Sequence, residues 1–379
     1  MRILFYGPRI CSSSHLWMRR NFEFLSPYIT TIIEEEMPEE GLTGNRKVVL
    51  LPKGKNYKSR LFRLVSDIRI DIKCRKILRR ESKDKNIDLI IIHFLTNAVQ
   101  YGKVFKDFHK PVFVHCHGID VTWEVYSLKR KWRRLWWGDY VKEVKKLPLN
   151  VFFIANSIST KRKLEEINIS SERIHVSTPG VPISAQIKYR DPQKKWLKFL
   201  FIGRLIDVKG PDLTILAFER ACEMGLNGEL ILAGDGNLRS VCEKLSNESA
   251  FSERIKILGA VSAAEGERLR NEADVFTAHS RKGTDSLQEE AFGVAFVEAM
   301  AAGLPVVTGA SGSLPEIVRN RIDGILFNPG DIEAHARSLF EIAGNPELRI
   351  SMGRSAALRA KENYSIEQEN RGLIKILGI

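Results

Sequence analysis

Two carboxylates, Glu290 and Glu298, stand eight positions apart in the stretch QEEAFGVAFVEAMAAGLPVV (288–307), with Phe292 and Gly293 between them. A carboxylate accepts two hydrogen bonds from a vicinal diol, and a ribose and a hexose each carry one such diol. Gly293 lets the backbone approach a ligand closely because it has no Cβ atom. The two acids therefore predict contacts to the two sugars of one nucleotide sugar. A solvated Glu290 and an ordinary helical Glu298 are the alternative.

The segment VAFVEAMAAG predicts a helix that begins near Val294 and ends at Gly303, and Pro305 blocks its continuation. Glu290 then belongs to the loop in front of this helix. Such a loop, at the carboxyl edge of a parallel sheet, is where ligands bind, and the first backbone N–H groups of the helix attract phosphate.

Two cations follow a strand in FIGRLIDVKG (201–210): Arg204, directly after Gly203, and Lys209. Two cations at this position are able to neutralise a departing nucleoside diphosphate without a metal ion. The alternative is a surface face of ordinary ion pairs.

The composition of this chain of 379 residues is that of a globular protein, with 44% hydrophobic and 28% charged residues. The length favours two domains. The formal net charge of +13 favours anionic partners, and the five scattered cysteines favour reduced thiols. The sequence contains neither a signal-peptide pattern nor an apolar run that would cross a membrane.

Apolar runs alternate with helical stretches in two series, which predicts two doubly wound α/β sheets. The first series is RILFYG, KVVLLP, DLIIIHF, PVFVHCHG and VFFIANS; the second is LKFLFIG, ELILAG, RIKILG, DVFTA, PVVTG and GILFN. We therefore expect a first domain over residues 1–182, a linker over 183–196, a second domain over 197–365, and a helix over 366–379 that crosses back to the first domain.

The full string E-A-F-G-V-x-x-x-E-A-M-A-x-G-x-P-V-V resembles the signature of the family-four retaining glycosyltransferases. The resemblance implies the GT-B fold, in which two Rossmann-like domains face a central cleft. It also implies a donor site in the second domain, with Arg204 and Lys209 on the diphosphate and the segment Phe292 to Val294 beside them. Leu258 in KILGAVS is expected to line the base. Ser280 is expected near the phosphates, although His279 stands where the family usually has proline.

The first domain contains HCHGIDV (115–121), and its His117-Gly118-x-Asp120 resembles the H-G-x-D of bacterial polysaccharide transferases in this family. The resemblance implies that His117 contacts the transferred hexose and acts with Glu290, Arg204 and Lys209 in catalysis. His115 and His117 are also spaced as a metal-ligand pair. The sequence identifies no third ligand, so we predict no metal. Gly7, His15 and Asp120 are expected on the acceptor side, although Ser12 to Ser14 replace the glycines usual there.

A basic stretch, SLKRKWRRLWWGDYVKEVKKL (127–147), has apolar residues at helical spacing. A basic helix with tryptophans on one face is able to lie in an anionic membrane interface, which would make Trp132, Arg133 and Trp136 membrane contacts. The alternative is a helix that packs on the first domain and exposes its basic face.

The sequence, together with this resemblance, predicts a hexosyltransferase that uses a UDP- or GDP-linked donor and needs neither metal nor cofactor; the resemblance implies that it is retaining. Its acceptor is expected to be a glycan or a lipid-diphosphate-linked saccharide in cell-surface polysaccharide synthesis. We expect a cytoplasmic protein, peripheral at the membrane. Nucleic acid is not expected as a partner because no recognisable module is present. A non-catalytic nucleotide-binding member of an assembly complex, or an epimerase or phosphorylase on the same fold, is the alternative.

Overall fold

The computed structural model describes residues 1–7, 10, 16–36, 42–52, 60–123, 139–184 and 190–379. These residues form two compact units. Unit 1 comprises residues 1–156, 160–177 and 370–379, and unit 2 comprises residues 157–159 and 178–369. The change from one unit to the other thus falls at residue 177, whereas the sequence suggested 182.

Unit 1 contains a seven-stranded parallel sheet with the strand order β3-β2-β1-β4-β5-β6-β7. Its strands are β1 (Ile3–Tyr6), β2 (Ile29–Glu34), β3 (Lys47–Leu50), β4 (Leu89–His93), β5 (Val112–Cys116), β6 (Val151–Ala155) and β7 (Ile174–Val176). The order reverses direction between β1 and β4. In open α/β sheets such a switch point leaves a crevice at the carboxyl ends of the strands, where ligands bind.

The helices described in unit 1 connect these strands. They are α1 (Leu16–Leu25), α2 (Arg60–Ser82), α3 (Leu95–Tyr101), α4 (Tyr140–Lys145) and α5 (Ile158–Glu166), with 3₁₀ turns at Gly102–Asp107, Ile119–Val121 and Ser171–Arg173. The strands β1 and β4 are buried on both faces, which explains why they appear in the sequence as continuous apolar runs.

Unit 2 contains a six-stranded parallel sheet with the order β10-β9-β8-β11-β12-β13. Its strands are β8 (Leu197–Ile202), β9 (Gly228–Ala233), β10 (Ile255–Gly259), β11 (Val275–Ala278), β12 (Val306–Gly309) and β13 (Gly324–Phe327). Here the switch point lies between β8 and β11.

The helices of unit 2 cover its sheet. They are α6 (Pro211–Glu223), α7 (Arg239–Glu248), α8 (Ala263–Glu272), α9 (Val294–Ala301), α10 (Leu314–Ile317), α11 (Ile332–Gly344), α12 (Pro346–Asn363) and α13 (Ile366–Leu377), with a 3₁₀ turn at Ser252–Arg254. The last turns of α13 belong to unit 1, because Leu373 and Leu377 are buried in its core with Ile3, Phe5 and Ile32.

The sequence pattern located every strand of unit 2, but it missed β2 and β7 in unit 1. The strand β7 has only three residues, too few to show alternation. In β2 (ITTIIE) two threonines and a final glutamate interrupt the apolar run, yet Thr31 and Glu34 are buried. Glu34 is compensated inside the protein, where its carboxylate accepts the backbone N–H of Ile10 at 2.9 Å.

Two expectations about surface segments need correction. Residues 139–147 do not form a lipid-facing surface, because Tyr140, Val144 and Leu147 are buried in the core of unit 1 and the Tyr140 hydroxyl donates to the Asp120 carbonyl at 2.9 Å. Trp132, Arg133 and Trp136 lie outside the described residues. None of the helices in the described ranges is both long and apolar enough to cross a membrane.

The expected linker is also attached to unit 2 where the structure describes it. The Arg190 guanidinium donates to the carbonyl oxygens of Ala273 at 3.1 Å and Arg270 at 3.2 Å. Lys194 Nζ lies 2.5 Å from a carboxylate oxygen of Asp274. These contacts fix the chain against the end of α8 and the start of β11.

Candidate functional site

The switch point of unit 2 is formed by the loops that follow β8 and β9. Gly203 and Arg204 follow β8 directly, and the Gly203 N–H donates to the Ala233 carbonyl at 3.0 Å. A Cβ atom at Gly234 would lie 1.8 Å from the Gly203 carbonyl oxygen, so only glycine allows these two loops to meet. Arg204 is exposed, and no carboxylate in the described part of the chain pairs with it. Its guanidinium is therefore available to an anion at the switch point.

Lys209 and Glu290 form an ion pair at this edge of the sheet. Lys209 Nζ contacts Glu290 Oε2 and lies 5.8 Å from the centre of the Phe296 ring. The side chains of Lys209 and Glu290 are 17% and 9% exposed, so the pair is largely shielded from water. The structure thus brings together the cation predicted for the diphosphate and the acid predicted for a sugar diol.

Asp207 shapes the loop that carries Glu290, a role that the sequence analysis missed. Its carboxylate accepts the backbone N–H groups of Val208, Asp285 and Ser286, each at 2.9 Å. Burial raises the pKa of Asp207, but the donors from Ser286, Asp285 and Val208 outweigh it, and the net pKa is lowered. Asp207 therefore stays ionised and ties the loop over residues 283–288 to the turn between Arg204 and Lys209.

The helix α9 begins at the position that the sequence predicts. Gly293 precedes it in the left-handed region, with φ of 79° and ψ of 56°, which explains why glycine stands there. Val294 is half-buried, but the Phe292 side chain is buried and packs edge-on against Tyr364 with ring centres 5.7 Å apart. Phe292 is therefore a core residue, and only its backbone is available to a ligand.

Glu298 lies on α9 and pairs with Arg270 across a distance of 3.1 Å. Arg270 is 14% exposed and belongs to α8, so this contact joins two helices. Arg270 was not predicted from the sequence, since nothing in its local pattern marks it. Leu258 in β10 is 45% exposed, which is unusual for a leucine in a strand and leaves an apolar surface open to a planar ligand.

Ser280 follows β11 on the other side of the switch point. Its hydroxyl is buried and has no hydrogen-bond partner within the described structure. Three more buried hydroxyls in unit 2 share this property: Thr308, Ser311 and Ser313, in or just after β12. Unsatisfied buried hydroxyls are rare, and a bound ligand is one of the explanations for them. The last three were not predicted from the sequence, although they stand together in the segment TGASGS.

His279, which stands where the family usually has proline, is part of a buried hydrogen-bond chain. The Gly330 N–H donates to His279 Nε2 at 2.9 Å, so this nitrogen is unprotonated. His279 Nδ1 then donates to His335 Nδ1 at 3.1 Å, and His335 Nε2 donates to Thr277 Oγ1 at 2.7 Å. Burial lowers the pKa of His279 to about 4 and lowers the pKa of His335 well below its ordinary value. Both rings are therefore neutral.

In unit 1, His117 follows β5 and lies against His93, the last residue of β4. His93 Nδ1 is 3.2 Å from His117 Nε2, and the planes of the two rings are parallel to within 7°. Trp17 covers His117, with ring centres 3.9 Å apart. His93 lies at the switch point of this sheet. His93, which was not predicted from the sequence, thus stands as a third histidine beside His115 and His117.

His115 is the Cα partner of His93 in the parallel ladder, and their rings stack with centres 4.5 Å apart. Burial lowers the pKa of His115 to about 3, so its ring is neutral. Its Nε2 atom is buried and has no hydrogen-bond partner within the described ranges. Gly7, predicted on the acceptor side, is buried just after β1, while His15 lies outside the described residues.

Asp120 was expected on the acceptor side, and the structure corrects this. It is fully buried, and its carboxylate accepts three backbone N–H groups, from Leu95 and His117 at 2.8 Å and from Gly118 at 2.9 Å. Burial raises the pKa of Asp120, and the backbone donors reduce this effect without cancelling it. Asp120 therefore fixes the turn that presents His117 and has no surface to offer an acceptor.

Comparisons with known proteins agree with this architecture. Residues 34–185 match the family model described as Glycosyltransferase Family 4, and residues 185–359 match the model described as Glycosyl transferases group 1. The amylovoran biosynthesis glycosyltransferase AmsK of Erwinia amylovora is 26% identical over 308 residues, which cover 79% of this chain and 72% of AmsK.

Two further proteins are similar to this chain. A GDP-mannose-dependent phosphatidylinositol monomannoside mannosyltransferase of Corynebacterium glutamicum is 28% identical over 175 residues, 46% of this chain and 45% of that protein. The crystal structure of Anabaena HepE in complex with UDP and glucose superposes with a TM-score of 0.75 at 17% identity, and covers 100% of this chain and 99% of HepE.

The matched models meet at residue 185, close to the change between the two units at residue 177, and both describe glycosyltransferases. Each unit has a parallel, Rossmann-like sheet, and the arrangement matches solved glycosyltransferases along the whole chain. The chain belongs to the GT-B glycosyltransferases.

Proposed function

We propose that this protein is a retaining hexosyltransferase that moves a hexose from a UDP- or GDP-linked donor to a glycan or lipid-linked saccharide in cell-surface polysaccharide synthesis. AmsK, which takes part in amylovoran biosynthesis, supports the pathway class. HepE, solved with UDP and glucose, and the GDP-mannose-dependent relative support a nucleotide-sugar donor without choosing between the two nucleotides.

The observation that carries the proposal is the convergence of charge and hydrogen-bonding groups at the switch point of unit 2. The exposed Arg204, the Lys209–Glu290 pair and the buried Ser280 hydroxyl all belong to loops at the carboxyl edge of one sheet. A diphosphate between them would neutralise the cations, and a hexose diol would suit the carboxylate of Glu290. This set needs no metal ion to stabilise the diphosphate.

The ion pair implies a rearrangement when the donor binds. Lys209 Nζ contacts Glu290 directly, so a phosphate oxygen that approaches Lys209 takes over part of the interaction that Glu290 now makes. Glu290 is then free to accept hydrogen bonds from the sugar. The second acid, Glu298, keeps its orientation through Arg270 and faces the ribose diol in this proposal, with Leu258 against the base.

We propose departure and attack on the same face of the sugar. The bond from the anomeric carbon to the phosphate oxygen breaks, the acceptor hydroxyl oxygen bonds to that carbon, and the hydroxyl proton passes to the departing phosphate. Arg204 and Lys209 stabilise the charge that develops on the phosphate, which is the largest contribution expected. His117 orients the hexose.

The test has two parts. First, the unfolding temperature is measured with UDP, GDP and a panel of their sugars; a true donor should raise it most strongly, because it binds only the folded chain. Second, the product formed from that donor is examined by proton NMR, and the anomeric configuration of the donor should be kept. An inverted anomeric configuration in the product would contradict a retaining mechanism. If no nucleotide or nucleotide sugar raised the unfolding temperature, the proposed donor class would be wrong.

We also propose peripheral attachment to an anionic membrane through Trp132, Arg133 and Trp136. The net charge of +13 supports it, since each cation near such a surface contributes about 1 kcal/mol. Replacing Trp132 and Trp136 with serine should weaken co-sedimentation with anionic liposomes at low salt. The residues Tyr140, Val144 and Leu147 are not part of this surface, because they are buried. Equal sedimentation of both proteins would remove the proposal.

A further inference from the structure

Three histidines meet at the switch point of unit 1, and their shared geometry suggests a second ligand for this protein. One ring nitrogen from each of His93, His115 and His117 lies within 4.8 Å of the other two. The three side chains project from one face of the sheet, because His93 and His115 are ladder partners on β4 and β5, and His117 is two residues beyond His115. This placement is a consequence of strand register and not of their distance along the sequence.

The closest pair already has the spacing of two ligands on one ion. Two imidazole nitrogens that bind Zn²⁺ at about 2.0–2.1 Å with a tetrahedral angle are about 3.3 Å apart. His93 Nδ1 and His117 Nε2 are 3.2 Å apart, and the planes of their rings are parallel to within 7°. An ion bound to both atoms at about 2.0–2.1 Å therefore fits their present spacing, at a point beside the line that joins them, and small rotations of the two rings aim their lone pairs at it.

His115 supplies the third nitrogen. Its buried Nε2 has no hydrogen-bond partner within the described structure, so this nitrogen is available as a ligand. Its ring stacks on the His93 ring with an angle of 17° between the two planes, so the lone pair of His115 Nε2 lies in a plane nearly parallel to the His93 ring. Coordination requires the His115 ring to turn about its Cβ–Cγ bond, and this turn also gives the unsatisfied nitrogen a partner.

We propose that His93, His115 and His117 bind a divalent transition-metal ion of the Zn²⁺ class. Three histidines with an open fourth position are a known ligand set for Zn²⁺, and imidazole also suits Co²⁺, Ni²⁺ and Cu²⁺. The half-exposed His117 leaves that fourth position to water. Asp120 does not take part, because its carboxylate is occupied by three backbone N–H groups. Hexose transfer does not require this ion. The ion instead occupies His117, the residue that orients the hexose in the proposed function.

The binding test uses the full chain after removal of metal with EDTA and dialysis. Titration calorimetry with Zn²⁺ should show one ion per chain, and Co²⁺ should give the visible spectrum of a four-coordinate site. His115→Phe keeps a ring stacked on His93 but removes the ligand, so the affinity should fall at least about tenfold, the scale known for loss of an outer partner. His109→Gln is the matched control, since His109 is exposed in the same unit, and its Zn²⁺ affinity should equal that of the wild type.

The site can be tested even when His115→Phe fails to fold. His117→Gln replaces a half-exposed residue, and its Zn²⁺ affinity should also fall at least about tenfold. The metal-free unfolding temperature of each variant is measured alongside. Zn²⁺ should raise the unfolding temperature of the wild type and of His109→Gln, but not that of His115→Phe or His117→Gln. Equal Zn²⁺ affinity in wild type, His115→Phe and His117→Gln, or no stoichiometric binding to the wild type, overturns the site.

A kinetic test addresses the consequence for transfer, and this part rests on the proposed contact between His117 and the hexose. Zn²⁺ should raise the apparent KM for the donor without changing kcat, and EDTA should restore the original value. Zn²⁺ that binds by calorimetry but leaves the KM unchanged overturns the contact between His117 and the donor and leaves the metal site in place. Inhibition that persists in His115→Phe places the inhibitory ion elsewhere.

Discussion

The neutral histidine chain of unit 2 predicts that acid destabilises this unit. The relevant groups are His279 and His335, which bond to each other, and the charged residues Arg281 and Asp331 that act on His279. Burial lowers the pKa of His279 from its ordinary 6.5 to about 4 and lowers the pKa of His335 well below its ordinary value. In the unfolded chain both rings take up a proton as the pH falls below about 6.5, while in the folded chain they do not. The contribution of these two neutral rings to the stability of unit 2 is therefore fully present above pH 6.5 and is lost as the pH falls towards 4.

The magnitude follows from the linkage between protonation and folding. Each ring that is neutral when folded and titrates near 6.5 when unfolded loses about 1.4 kcal/mol per pH unit below 6.5. From pH 7 to pH 5 this amounts to about 2 kcal/mol per ring, or about 4 kcal/mol for the pair. His335→Gln removes one of the two rings while its amide keeps the ability to bond Thr277. The variant should therefore lose about 2 kcal/mol less than the wild type over the same pH interval.

Hydrogen exchange followed by mass spectrometry measures this on the full chain. Peptides from β11 and α11 report the opening of unit 2, and their protection is compared at pH 7 and pH 5 after correction for intrinsic rates. The loss of protection should be about 30-fold smaller in His335→Gln than in the wild type, the ratio that corresponds to about 2 kcal/mol. His109→Gln, in the other unit, should behave as the wild type. Equal pH dependence in wild type and His335→Gln would refute the reasoning.

Three more predictions concern the site. Arg204→Ala should reduce kcat/KM by about 2–4 kcal/mol of transition-state stabilisation, and Lys209→Ala by more, because it also leaves Glu290 buried without its partner; near-normal turnover in both would remove the diphosphate assignment. Turnover should survive EDTA, since the proposed diphosphate site uses cations of the protein; activity that EDTA abolishes and Mg²⁺ or Mn²⁺ restores would contradict it. Asp120→Ala should destabilise unit 1 by about 3–5 kcal/mol, measured by hydrogen exchange in β5, because three buried N–H groups lose their acceptor; a loss no larger than that of Asp120→Asn would show that this carboxylate is not what holds the turn.

Local patterns were sufficient for most of the fold. Buried parallel strands leave continuous apolar runs, so β1, β4 and all six strands of unit 2 were evident from the sequence. The start of α9 was evident as well, because Gly293 and Pro305 mark the two ends of its segment. Strands such as β7, with three residues, carry too little pattern to be recognised.

Contacts between distant elements were not predictable in the same way. The resemblance named His117, Lys209 and Glu290, yet it did not reveal that Lys209 and Glu290 pair with each other. His93 and Arg270 were missed because their importance comes from strand register and helix packing, which one sequence does not display. Asp120 was expected on the acceptor side for a related reason. A carboxylate in a motif is expected to face a ligand, and here three backbone N–H groups bind it instead.

The discontinuity of unit 1 has a consequence for the order in which the protein folds during synthesis. Leu373 and Leu377 complete the core around Ile3 and Phe5, so residues from opposite ends of the sequence close the same layer. The ribosome delivers residues 178–369 of unit 2 before it delivers Leu373. The half of the protein that emerges second is therefore the first able to finish folding, and the half that emerges first keeps an open apolar edge until translation has passed residue 377. Nascent chains stalled before Leu373 should accordingly expose this edge to chaperones.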